Sequence, residues 1–190
     1  MTRALFIVDV QNDFTEGGAL GVDGGAAVAA AVSSYLAEHA RDYDLIIASR
    51  DWHNADDDNG GHFAAEPDYV DTWPVHCVAD TEGAAYHSAL DVSAVTHHVK
   101  KGQGKPAYSL FEGQTDAGET AAALLNAHGV LSVDVVGIAT DHCVRASVLD
   151  AIEHGVDVRV LTTMIAGVAP ESSQRAIDEM GHAGAEIVTD

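Results

Sequence analysis

The chain has 190 residues, 47% of them hydrophobic, enough for one α/β domain with a sizeable core and too short for two comfortable ones. Thirty acids against nine bases give a formal charge of −21, which argues against nucleic acid and against anionic membranes as partners. Two cysteines, Cys77 and Cys143, are too few for a disulfide framework, and no apolar run approaches a membrane span. The expectation is a cytoplasmic protein with free thiols.

Taken in order, the N-terminus has too short an apolar run for a signal peptide. Residues 4–8 are a continuous run of β-formers, which predicts a strand buried on both faces and ended by Asp9. Residues 11–25 are glycine-rich and polar, a long loop; residues 26–40 are Ala-rich at helical spacing, a helix. Residues 45–48 form the second strand. Residues 49–83 hold Pro67, Pro74 and little periodicity, so they read as a long surface excursion. Within it the acidic run Asp56-Asp57-Asp58-Asn59 reads as a solvated loop. A short strand over residues 92–99 is followed by Lys100, Lys101 and Gly102, then a loop over residues 102–113. Residues 119–128 are a helix stopped by Gly129. Residues 132–138 are a strand, a helix begins near Asp141, and residues 156–161 are another strand. A helix over residues 171–182 opens at Pro170, and residues 186–188 are a final strand.

Strand and helix alternate throughout. The predicted fold is a three-layer, doubly wound, mostly parallel sheet with helices on both faces and one domain over residues 1–190. Sites in such sheets gather outside the carboxyl ends of the strands. Asp9, Asp51, a lysine of the 100–101 pair and Cys143 each follow a different strand, so four chemically capable residues share one edge.

A free cysteine alone reads as a small buried hydrophobe. Cys143 differs because it follows an apolar strand and a turn at Gly137, at the start of a helix. There the partial positive charge favours a thiolate and unpaired backbone N–H groups can receive an oxyanion. Cys77 lacks that setting and reads as structural. Asp9, alone a turn cap, is near a thiol a proton acceptor and donor. Lys100 and Lys101 alternate, so one faces solvent and the other the site. Three of the eleven histidines fall between His53 and His76. With Asp51 they make an oxygen-and-nitrogen donor set suited to zinc, iron or manganese, against the plainer reading of surface histidines in an acidic loop.

With these residues in hand, the chain resembles the nicotinamidase/pyrazinamidase branch of the isochorismatase-like cysteine hydrolases, nearly end to end. The resemblance is carried by Ile7-Val8-Asp9-Val10-Gln11-Asn12-Asp13-Phe14, Asp51-Trp52-His53, Gly61-His62-Phe63, Trp73-Pro74-Val75-His76-Cys77, Lys101-Gly102 and Gly137-Ile138-Ala139-Thr140-Asp141-His142-Cys143-Val144. It implies a catalytic set of Asp9, Lys101 and Cys143, and one divalent metal ion (iron, zinc or manganese) on Asp51, His53, His62 and His76. It further implies a cis peptide between Ile138 and Ala139, with the backbone N–H groups of Ala139 and Cys143 as oxyanion hole. Phe14 and Trp73 would sandwich a flat ring, and Tyr108 would line the pocket. The implied reaction is hydrolysis of nicotinamide, and of pyrazinamide, through a thioester on Cys143. A related isochorismatase or carbamoyl amidase is not expected to keep the metal set, and a non-catalytic metal- or nicotinamide-binding module would not need the catalytic one. The sequence leaves a homo-oligomer open.

Overall fold

The computed structural model describes residues 2–189. A six-stranded, wholly parallel sheet runs in the order β3-β2-β1-β4-β5-β6. Its strands are β1 (Arg3–Val8), β2 (Leu45–Asp51), β3 (His97–Lys101), β4 (Ser132–Ile138), β5 (Asp157–Ala166) and β6 (Glu186–Val188). The helices are α1 (Gly25–His39), α2 (Ala121–His128), α3 (Arg145–Glu153) and α4 (Pro170–Ala183).

The near-continuous apolar runs of β1 and β4 follow from burial on both faces. On one face Phe6, Ile47, Val99, Val135 and Val160 pack against Leu124 and Leu125 of α2, Val148 and Ala151 of α3, and Met180 of α4. On the other, Leu5, Ile7, Ile46, Val136 and Leu161 pack against Val28, Val32 and Leu36 of α1 and against Leu90. α2 starts on the Thr120 side chain, which accepts the Ala123 N–H, and ends at Gly129 in the left-handed region.

Two expectations are corrected and a third is refined. The strand expected over residues 92–99 begins only at His97. Residues 92–95 turn, and the Thr96 hydroxyl takes the place of a first rung, accepting from Ile46 N–H at 3.0 Å and donating to Ile46 C=O at 2.8 Å. β5 runs on past Leu161 to Ala166, with a register shift opposite Val135 and Gly137. The helix expected near Asp141 does begin there, at Thr140, but its first turn, Thr140–Val144, is π-helical and the α-helical part, α3, follows only from Arg145.

Between β2 and β3 lie residues 52–96, without a helix. This excursion is pinned at chosen points. Its parallel bridges are His53 with Val78 and Phe63 with Trp73. Asp56, Asp57 and Asp58 are exposed, as expected for a solvated loop, but Asn59 is buried. Its amide binds Asn54 N–H, Asn54 C=O and Gly104 N–H, tying two loops together.

Candidate active site

The chain leaves β1 for β2 and β3 on one side, then returns to build β4, β5 and β6 on the other. The crevice where that direction reverses, between the carboxyl ends of β1 and β4, is where such sheets bind ligands. Asp9 follows β1 with φ 47°, and Cys143 follows β4 in the π-type turn. Asp51 ends β2 and Lys101 ends β3. Gly137 lets the central strands close up: φ is 123°, and a Cβ there would stand 2.1 Å from the Val8 carbonyl oxygen. The peptide between Ile138 and Ala139 is cis.

Lys101 is fully buried. Its Nζ lies 2.8 Å from Asp9 Oδ2 and 3.7 Å from Cys143 Sγ, and it also donates to Asp51 Oδ1. Lys100 points the other way, 2.9 Å from exposed Asp116 and over the Trp52 ring, so strand alternation selects Lys101. The Ser49 hydroxyl donates to Asp9 Oδ1 at 2.7 Å. Burial alone would drive a proton off Lys101, yet Asp51 and Asp9 hold its pKa well above the ordinary lysine value. Burial likewise opposes ionisation of Asp51, and Lys101 with the neighbouring histidines outweighs it, holding that carboxyl well below the usual range. For Asp9 burial prevails over Lys101, and the pKa is raised.

Cys143 corrects the expectation of a thiolate favoured by a helix start. The thiol is 6% exposed and two residues short of α3. Burial pushes its pKa well up, with Lys101 opposing and the Asp9 and Asp51 carboxylates adding to the rise. Such a thiol needs a base beside it, and Asp9 is placed to be one.

Beside this set, His53, His62 and His76 bring ring nitrogens within 4.8 Å of one another, all buried. His53 Nδ1 pairs with the Gly102 carbonyl and His76 Nδ1 with that of Pro74, each at 2.8 Å. Both Nε2 atoms therefore face Asp51 Oδ2, at 3.6 and 3.7 Å. Gly102 is required here, since a Cβ on it would meet the His53 ring at 2.5 Å. His53 Nε2 and His62 Nδ1 are buried with no hydrogen-bond partner among the described residues. Burial, reinforced by His53 and His76, lowers the His62 pKa to about 4, so its ring is neutral at pH 7. Two imidazoles oriented by carbonyls toward a carboxylate, with two orphaned ring nitrogens in the same cluster, fit one divalent cation.

A cavity of about 330 Å³ opens onto Cys143, Asp51, His62 and His76. Phe14, Trp73 and Tyr108 line it, and Trp73 Nε1 donates to Tyr108 Oη at 3.0 Å. Ala139 lines it too. Every residue that the resemblance gave a site role thus lies at or beside one crevice. Sequence reasoning missed His142, which meets Trp73 edge-on at 5.2 Å between ring centres. Its lying beside Cys143 was the available signal. Gln11 and Ser49 were missed as well, because their partners are 40 residues away. Asp141 accepts from Val168 N–H, Ala169 N–H and the Ser172 hydroxyl, which ties the cysteine turn to the start of α4.

The isochorismatase-domain model matches residues 3–190, and the chain belongs to that family of hydrolases. The nicotinamidase/pyrazinamidase of Mycobacterium tuberculosis is 50% identical over 186 residues, 98% of each chain. The nicotinamidase of Escherichia coli is 36% identical over 204 residues, covering 98% of this chain and 94% of that one. Within the family, the chain's place is the nicotinamidase/pyrazinamidase branch. The pyrazinamidase of Pyrococcus horikoshii in complex with zinc superposes with a TM-score of 0.84 at 38% identity, covering 100% of both chains. The L. infantum protein in complex with nicotinate gives 0.85 at 30% identity, covering 99% of this chain and 92% of that one.

Proposed function

We propose that this chain is a single-domain, metal-dependent nicotinamidase that hydrolyses nicotinamide to nicotinate and ammonia and also accepts pyrazinamide. The observation that carries the reading is the reach of Lys101, 2.8 Å from Asp9 and 3.7 Å from Cys143, beneath an aromatic-walled cavity that opens beside three clustered histidines. The relatives' zinc and nicotinate complexes support the cofactor and ligand class.

Asp9 takes the thiol proton of Cys143 while Lys101 steadies the resulting thiolate. Sulfur attacks the carboxamide carbon, and the carbonyl oxygen, now an anion, rests on the Ala139 and Cys143 N–H groups. Removing one donor from such a hole costs about a hundredfold or more. Asp9 returns the proton to the amide nitrogen, the C–N bond breaks and ammonia leaves a thioester. Asp9 then takes a proton from water as its oxygen attacks the thioester carbon. The C–S bond breaks, the acid departs and the thiol is reprotonated.

Asp51, His53, His62 and His76 are the residues that would hold the metal, which when bound supplies a Lewis acid for the ring nitrogen and so orients the amide. Phe14 and Trp73 hold the ring faces and Tyr108 the rim. A reducing, cytoplasmic setting suits two free thiols. The test is release of ammonia from nicotinamide by the zinc-, iron- or manganese-loaded protein. Turnover supports the reading; no ammonia from either nicotinamide or pyrazinamide with any of the three metals refutes it.

A further inference from the structure

β1 pairs with β2 only from Ala4–Leu45 to Ile7–Ala48. Beyond that β1 turns away, through the left-handed Asp9 and a tight Gln11 N–H to Asp9 C=O bond of 2.8 Å. β2 runs on to Asp51, which pairs with Lys101 of β3 on its outer side and has no strand on its inner side. The Gln11 side chain occupies that missing place. It is fully buried, and Oε1 accepts the Asp51 N–H at 2.8 Å. Nε2 donates to the Asp51 carbonyl at 2.9 Å and to the Ala84 carbonyl at 3.0 Å. Its two N–H groups and its carbonyl are all used, and the partners allow only one orientation of the amide. A side-chain amide thus imitates the two-bond pairing of a neighbouring strand around one residue of β2, Asp51.

That residue is the one on which the two halves of the site depend. The Asp51 carboxylate reaches Lys101 through Oδ1 and faces His53 and His76 through Oδ2. We propose that Gln11 is the positioning residue of the metal site: by clasping both backbone groups of Asp51, it holds that carboxylate where it serves the cation and Lys101 together. The inference rests on Asp51 being a metal ligand. Gln11 itself touches neither the metal ligands' donor atoms nor the cavity, so its effect reaches the site through the backbone of Asp51. Outer partners that orient a metal ligand are worth about ten- to a hundredfold in metal affinity.

The experiment is zinc affinity by chelator competition on the full chain, comparing the natural protein with Gln11→Leu, which keeps size and removes all three bonds. Leu125→Ala, a cavity in the core beneath α2, serves as a control for lost stability alone. The expected result is zinc binding weakened about ten- to a hundredfold in Gln11→Leu and unchanged in Leu125→Ala. Gln11→Glu, which keeps an acceptor for the Asp51 N–H and loses donors, is expected to fall between, and it decides the matter if Gln11→Leu does not fold. Affinity within twofold of the natural protein in whichever of the two folds overturns the proposal. If the natural protein binds no zinc, the metal reading itself fails; if it binds and the Gln11 variants bind equally well, only the role of Gln11 fails.

Discussion

Replacing Lys101 with Met removes the one cation in a buried cluster that holds two carboxylates. Nζ is 2.8 Å from Asp9 Oδ2 and bonded to Asp51, and all three side chains are at most 3% exposed. Ser49 remains for Asp9 and the histidines for Asp51, but neither supplies a fixed positive charge. Breaking a buried pair by removing one partner costs about 3–5 kcal/mol, because the other is left buried and uncompensated. For a chain of this size that is a fall in Tm of about 6–20 °C. The sign with pH follows from Asp9, whose pKa is raised even with Lys101 present. Without the ammonium it rises further, so the folded variant binds a proton that the unfolded chain releases. The stability deficit of Lys101→Met is then largest at alkaline pH and shrinks on acidification. Urea unfolding of both metal-stripped proteins across that range, followed by tryptophan fluorescence, measures it. A deficit below about 1 kcal/mol, the worth of a surface pair, refutes the reasoning, as does one that grows in acid.

Cys143→Ala leaves a folded protein with no measurable amide turnover, whereas Cys77→Ala, a change at a fully buried thiol, retains it; circular dichroism and ammonia release check both. Thorough chelation abolishes turnover of nicotinamide and zinc restores it, and an enzyme indifferent to stripping contradicts the role given to His53, His62 and His76. Asp141→Ala costs about 1–3 kcal/mol by thermal unfolding, since it removes the charged acceptor of Val168 N–H, Ala169 N–H and the Ser172 hydroxyl at the entry to α4. Burial opposes ionisation of Asp141, but the His142 ring 3.3 Å away and the bonds from Ser172 and Val168 outweigh it and hold its pKa well below the usual carboxylate range. Its contribution is therefore present above the unfolded pKa and lost as pH falls through the folded one. The gap between natural protein and variant closes in strong acid and persists at pH 7.

What the sequence made legible is what period and local chemistry encode. Residues 132–138 and 186–188 are strands with those limits because both are short apolar runs closed by turn residues. The edge at which Asp9, Asp51, Lys101 and Cys143 meet follows from strand–helix alternation alone. Less legible were the places where a side chain stands in for backbone. Thr96 supplies a rung before β3 begins, and Gln11 supplies one after β1 has ended, so neither strand limit nor clasp shows as periodicity. The thiol's raised pKa was hidden for a related reason. A local reading sees Cys143 in the first turn of a helix, but the dominant influence is burial beside Asp9 and Asp51, whose positions only the assembled sheet brings together. Asp134, fully buried mid-strand between Arg3 and Arg159 and bonded by Tyr43, is likewise set by partners from other strands.

The central claim is that Cys143 carries the acyl group through turnover. Rapid acid quench of the metal-loaded protein with nicotinamide, followed by peptide mass spectrometry, tests it most directly. The expected result is a nicotinoyl adduct on the peptide containing Cys143, absent from Cys143→Ala. An adduct on Cys77 instead, or turnover that persists in Cys143→Ala, contradicts it.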